Sequence, residues 1–325
     1  MLFFLVSQNT DSLRFGDSLN LNIISRWKSS KPIVGIEVKN NYAYLSSLKS
    51  IYIIDFSDVK QLGIAPEIKL DCMPIGLKVK ENYLYVACGR GGLVIIDITD
   101  PYTAQIVSQT PSRDSALYLD IKGNYLFMAD AQSGITVFNI SNPKQPQIVS
   151  HFKTPGFSRG VHVVGNYAYV ADGPGGLVIL DISNVNNIRL VGSYSLGDTT
   201  FAVAVKYYNN RAYVGFAKYG LYVFDVSNPK DIKPIIRYIG IGEALGLYLR
   251  GNYLYLASGK GGVRIFDLDR VESEFKLGRK TIVEGEVARY RAPEYMGDVL
   301  FDIVVYDKYL LSASRNGLII YANSY

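Results

Sequence analysis

The sequence predicts an all-β fold: a seven-bladed β-propeller of four-stranded antiparallel blades, its ring closed by an N-terminal strand that completes the last blade. Three observations carry this reading. One motif recurs seven times at a period near 42 residues. Each copy sets a two-residue turn between apolar runs of strand length. The last copy lacks an outer strand, and a matching segment stands near the N-terminus.

Residues 165–184, "GNYAYVADGPGGLVILDISN", show the motif. Aligned on the residue after the turn, the copies fall at Tyr42, Tyr83, Tyr125, Tyr167, Arg211, Tyr253 and Tyr309, with spacings of 41, 42, 42, 44, 42 and 56. A repeat of this length, without 3.6-residue periodicity, is the signature of propeller blades rather than of a helical solenoid.

The elements follow in order. "GN", "EN" or "NN" before the aligned residue is a hairpin signal, because both residues tolerate positive φ. "YAYVA" and "LVILDI" are nearly continuous apolar runs and so predict strands buried on both faces. Between them lies a glycine-rich bend, and after the second an Asp followed by "SN" or "TDP". "QIVSHFK" at 147–153 supplies a third strand and "GVHVVG" at 160–165 a fourth. The final copy ends at Tyr325 without a third strand, while "NIISRWK" at 22–28 matches "QIVSHFK" position by position. The N-terminal segment is therefore expected to complete the last sheet. Residues 1–18 read as a tail, 19–325 as one propeller domain, and the long spacing of 56 as a loop insertion at 287–298.

Composition agrees. Of 325 residues 48% are hydrophobic and 19% charged, enough for a large core and unlike a disordered chain, and the 26 Tyr favour strands. The net charge of +5 permits an anionic partner without requiring one. No apolar run reaches the ~18 residues a membrane-spanning helix needs. "MLFFLVSQNTDS" has no basic segment before its apolar residues, as a signal peptide would.

"GGLVIIDITDP" and "GGLVILDISN", preceded by "NYLYVA" or "NYAYVA", resemble the LVIVD repeat of bacterial and archaeal surface propellers. The resemblance covers nearly the whole chain. It implies a role in binding or surface structure, no shared catalytic residues, no cofactor, and an extracellular or cell-surface location, with the cytoplasm as the alternative. Arg211 in place of Tyr and Ala322 in place of Asp depart from the pattern.

The candidate functional residues divide into four groups. "GRGG", "GPGG" and "GKGG" resemble phosphate cradles, but a cradle precedes a helix and here a strand follows, so they read as tight bends. Asp55, Asp97, Asp181, Asp225 and Asp267, with Asn139 in register, read as turn-capping side chains and not as metal ligands. His151 and His162 fall on different strands, no triad or metal spacing is present, and no metal is expected; a carboxylate-based lyase or hydrolase at the channel mouth, or a site on Asp130 and Asp172, is the alternative to a binding or scaffolding module. Glu37, Lys78, Asp120, His162 and Lys206, followed by Tyr248 and Val304, recur at one position of the innermost strands and are expected to line the channel.

Cys72 and Cys88 flank a hairpin centred on Glu81 and Asn82, and antiparallel pairing brings them within disulfide reach. At the bend tips stand Leu48, Arg90, Gln132, Pro174, Lys218, Lys260 and Arg315, with Lys49 beside the first. Arg159, Arg289, Arg291 and Tyr295 join them from neighbouring loops, giving an expected binding surface for an anionic glycan, polymer or protein. Nucleic acid is disfavoured, because most Tyr belong to strand cores instead of alternating with Lys or Arg on an open face.

Overall fold

The computed structural model describes residues 21–197, 199–238, 242–276, 286–290 and 298–323. It is a closed ring of seven antiparallel sheets. Blade four shows the plan: Gly160–Val164 innermost, then Tyr167–Ala171, Leu177–Asp181 and, outermost, Arg189–Tyr194. Each innermost strand contacts the innermost strands of both neighbours, which closes the ring around a central channel.

The ring is sealed as the repeat predicts. Leu21–Lys28 pairs antiparallel with Gly317–Asn323 as the outer strand of blade seven. Its register shifts between Ile23 and Ser25, the same place as the shift between Ile106 and Ser108 in blade two. The N-terminal segment thus repeats the shape of an internal outer strand as well as its sequence. Blade one differs: its outer strand is split into Gly63–Ile64 and Ile68–Lys69 around Pro66, which has no N–H to give a ladder.

The inner hairpins turn on residues with positive φ: Asn40 at 52°, Glu81 at 52°, Gly123 at 55° and Gly165 at 57°. Apolar side chains on both faces of the middle strands pack between blades. Phe127, Ala129 and Val137 of blade three meet Val161, Val170 and Leu180 of blade four, all buried. At roughly 1.5–3 kcal/mol per buried aliphatic or aromatic side chain, these seven interblade layers hold the ring together.

Two expectations need correction. Residues 287–290 are not loop: Glu286–Tyr290 forms the outer strand of blade six, paired with Val263–Asp267. The extra chain begins earlier, with the helix Leu268–Lys276 directly after that strand. Val304 does not line the channel but is buried between blades with Ile33, Ile36 and Leu311. Blade seven's polar contribution is Asp302, two places earlier and opposite Ala313.

Candidate functional site

The bends face the loops that lead into the next blade. Gly89 and Ala116 exchange two backbone hydrogen bonds of 2.9 Å, and bridges Ala131–Ser158, Gly173–Ala202 and Gly259–Leu300 repeat the contact. Bends and inner-strand loops therefore share one face. Gly89 at φ +49° and Gly92 at φ +77° make the bend of blade two, and the strand Leu93–Asp97 follows at once, leaving no helix N-terminus to hold phosphate.

On that face Lys49, Arg90, Lys218, Lys260 and Arg315 are exposed, and among the described residues none of the five has an ion-pair partner. Arg159 is exposed too, its guanidinium 5.9 Å from the centre of the Phe201 ring. The face is mixed: Glu243, beside the blade-six bend, is exposed, while other acids are engaged in the loops. Asp114 accepts from the Gln132 N–H at 3.0 Å, and Asp130 and Asp172 are fully buried. Arg291 and Tyr295 lie outside the described residues, and of Arg289 only its backbone place in the blade-six outer strand is described.

Asp130 and Asp172 hold the loops in place. Asp130 accepts from the Ser112 and Thr136 hydroxyls, both at 2.9 Å, and from the Arg113 and Asp114 N–H groups. Asp172 accepts from the Thr154 hydroxyl at 2.6 Å, the Gly156 N–H at 2.6 Å and the Ser158 hydroxyl at 2.8 Å. With their lone pairs engaged by these donors, the two carboxylates are poor metal ligands. Among the described residues no cluster of His, Cys, Asp and Glu has metal-site geometry. Cys88 occupies the same repeat position in blade two and is bonded to Cys72, with Cα atoms 5.6 Å apart. Carboxylate and disulfide do one job, fastening a loop to a bend.

The residues expected at the channel share one level of the innermost strands. Glu37, Lys78, Asp120, His162, Lys206 and Tyr248 pair with Tyr44, Tyr85, Phe127, Tyr169, Tyr213 and Tyr255, which are equivalent register positions. Three polar groups close gaps between innermost strands. Asp120 Oδ2 accepts from the Val163 N–H at 2.8 Å, His162 Nδ1 from the Tyr207 N–H at 3.0 Å and Asp302 Oδ2 from the Ile36 N–H at 3.2 Å. Lys78 lies 3.8 Å from Asp120.

Crowding perturbs these groups. Burial, with a smaller push from Asp302, raises the Glu37 carboxyl to about 7 despite Lys78 and Lys206. Burial lifts Asp302 to about 6. Burial and the Lys206 charge depress His162 to about 3, so its imidazole is neutral and free to accept from Tyr207. Lys206 is pulled below its usual range by burial and by Lys78. For Lys78 burial works the same way, but Glu37 and Asp120 outweigh it.

Other repeat positions are structural. Asp55, Asp97, Asn139, Asp181, Asp225 and Asp267 each accept from the N–H two residues on, at 2.8–3.0 Å. Sequence reasoning missed a clasp. Lys39, Lys80 and Arg250, at the ends of innermost strands, reach the turn carbonyls of Glu81, Gly123 and Asp307 in the next blade, as Lys122 reaches Gly165. The signal was a basic residue before the hairpin turn. Arg211 is explained by the helix: it bonds Glu272 at 2.9 and 3.0 Å, lies 3.0 Å from Asp225 and stacks 5.2 Å from the Phe275 ring.

Fold and repeat together define a seven-bladed repeat propeller. The LVIVD repeat model matches residues 34–64, 75–107, 115–154, 155–195, 201–238 and 241–269. The chain belongs to the LVIVD-repeat family. A comparison with curated proteins gives no match. Among solved structures the chain is similar to the computationally designed Ika8 protein, with a TM-score of 0.67, 11% identity, and coverage of 93% of this chain and 100% of that one. That likeness concerns the fold alone.

Proposed function

We propose that this protein is a non-catalytic binding or scaffolding module that engages an anionic glycan, polymer or protein through its bend face. The observation that carries the reading is the set of five exposed bend cations that have no ion-pair partner among the described residues, while Asp114 and Asp172 accept from loop N–H groups, although Glu243 on the same face is exposed. Turn geometry does not demand a cation there, since Gln132 and Pro174 occupy the same position. The rigid ring fixes the backbone positions of these side chains, so binding orders only the side chains, at about 0.5–1.5 kcal/mol each. The Cys72–Cys88 disulfide fits an extracellular or cell-surface location, where thiols stay oxidised. Among the described residues no helix is long and apolar enough to cross a membrane.

The test is binding to immobilised acidic polysaccharides and acidic proteins over a salt series. Each surface contact contributes only ~0–1 kcal/mol, so several must act together and affinity must fall steeply with salt. Replacing Arg90, Lys218, Lys260 and Arg315 with Ser is expected to abolish binding with little change in Tm. Undiminished binding by the quadruple variant refutes the reading.

A further inference from the structure

The Asx turn of blade three differs from its equivalents in one respect. Five blades end the third strand on Asp55, Asp97, Asp181, Asp225 or Asp267, and blade three places Asn139 there. The turn does not ask for the change. Asn139 Oδ1 accepts the Ser141 N–H at 3.0 Å, just as Asp97 and Asp181 accept theirs at 2.9 and 2.8 Å. What Asn adds is a carboxamide nitrogen. Among the described residues that nitrogen has no acceptor and the Ser141 hydroxyl has no hydrogen bond, whereas Thr99 of blade two gives its hydroxyl to Asp97 at 2.6 Å. Asn139-Ile140-Ser141 is also the only Asn-x-Ser or Asn-x-Thr triplet in the 325 residues. Ile140 anchors it, buried with Leu126 and Phe138, while Ser141 and the following Asn142 are exposed. The triplet lies at the hairpin end of the blade: Asn139 pairs with Tyr125, and the Ile140 N–H bonds the Asn124 carbonyl at 2.8 Å. The bend carrying Gln132 is at the other end of the strand Ile135–Asn139, roughly 16 Å away at ~3.3 Å per residue.

We propose that Asn139 is an acceptor for an N-linked glycan. The triplet supplies the two groups that transfer needs, a carboxamide nitrogen and a hydroxyl two residues on. The donor class is an oligosaccharide carried on a polyprenyl diphosphate. In the transfer a bond forms from Nδ2 to the anomeric carbon of the first sugar, and the bond from that carbon to the diphosphate oxygen breaks. The lipid diphosphate leaves with the electron pair, and Nδ2 gives up one proton to solvent. The Ser141 N–H already holds Oδ1, so the nitrogen is the end of the side chain left to react, and the turn bond survives the modification. Such transfer belongs to the compartment in which the Cys72–Cys88 disulfide forms. The proposal draws on that extracellular reading and not on the bend face. A glycan at Asn139 stands on the face opposite the bend cations and leaves them open.

The experiment is secretion of the full chain from a eukaryotic host behind a cleavable signal peptide, followed by mass spectrometry of the tryptic peptide 123–144. Release of the glycan by a peptide amidase in heavy-oxygen water converts a modified Asn139 to labelled Asp. The parent is expected to carry glycan at this position, and Ser141→Ala and Asn139→Asp are each expected to lose it completely. Made in a bacterial host without the transferase, Asn139→Asp should keep the parent's Tm, since five blades use Asp in this turn. An unmodified peptide from the secreted parent overturns the proposal. So does a glycan that persists in Ser141→Ala, and so does a lowered Tm in the bacterial Asn139→Asp, which would show that the turn itself needs the amide. The readout does not involve the bend cations, so failure here and failure of binding to an anionic partner are separately visible.

Discussion

Removing the one disulfide tests how blade two is held. Cys72 lies in the loop leading to an innermost strand, and Cys88 ends the next strand, with a sequence separation of 16. Closing a loop of about 16 residues lowers unfolded-chain entropy enough to stabilise the fold by ~3 kcal/mol at 25 °C. A chain of 325 residues has an unfolding entropy near 0.7 kcal/mol/K, at about 2.1 cal/mol/K per residue, so the expected fall in Tm is about 4–5 °C. Scanning calorimetry of the parent with and without reductant, and of Cys72→Ser/Cys88→Ser, measures it. Hydrogen exchange across residues 72–92 should rise in the same variant, since the Cys88–Gly92 bend loses its tether. The equivalent positions sharpen the test. Asp130 and Asp172 each accept from an N–H 16 residues earlier, Asp114 and Gly156, the same separation as the disulfide. Cys72→Ser/Cys88→Asp should therefore recover part of the loss. Unchanged Tm and unchanged exchange on reduction would refute the view that this bond fastens loop to bend.

Asp172→Ala leaves the half-buried Gly156 N–H and one of the two buried hydroxyls of Thr154 and Ser158, which bond each other at 2.9 Å, without an acceptor, at roughly 1–3 kcal/mol each, so urea denaturation should show a loss of about 2 kcal/mol or more, and an unaltered midpoint would contradict the role given to this carboxylate. Glu37 and Asp302 bind protons more tightly folded than unfolded, so they make stability fall as pH rises from about 4.5 to 7 and from about 3.8 to 6; His162, lowered to about 3, acts the opposite way up to pH 6.5. In Glu37→Gln the fall between pH 4.5 and 7 should shrink by up to ~3 kcal/mol in denaturation curves measured across that range. Arg211→Ala removes the paired hydrogen bonds to Glu272 and the stacking on Phe275, and should raise hydrogen exchange in Leu268–Lys276 while leaving the other blades protected. Gly246→Ala places a methyl 2.8 Å from the Asp302 Cα, a backbone clash expected to lower Tm by several degrees.

What the sequence revealed depended on repetition. Seven copies in register exposed the hairpin turns, the Asx turns and the closing strand, because each is decided by residue type at a fixed position. Cys72 and Cys88 were legible for the same reason, since turn position sets antiparallel register. Single events were not. The helix Leu268–Lys276 occurs once and had no partner copy to mark it, although Arg211 in place of Tyr was its trace on the neighbouring blade. Asp302 was missed because blade seven carries its polar residue in the small-residue register, that of Gly246 in blade six, opposite Ala313 and two places before Val304. Tyr118 and Asp302 are the two exceptions to the small-residue position, and that departure was the available signal for both. The orientation of Asp130 and Asp172 could not be read, because it depends on hydroxyls and N–H groups of loops whose sequences differ between blades.

The channel polarity follows from closing a ring of sheets. The innermost strand of every blade presents an edge to the channel, and an unpaired edge exposes backbone donors. A purely apolar layer would leave those donors unbonded, while seven identical charges would repel. The chain instead places an acceptor where the next blade offers an N–H: Asp120 for Val163, His162 for Tyr207, Asp302 for Ile36. One oxygen of each carboxylate is fixed by that backbone group, and the same carboxylates, with Glu37, still act on Lys78 and Lys206. Among the described residues Lys206 forms no ion pair, and Lys78 has one long contact, with Asp120. Edge protection thus brings carboxylates to the layer, and two lysines set against Glu37, Asp120 and Asp302 keep those acids from standing together uncompensated.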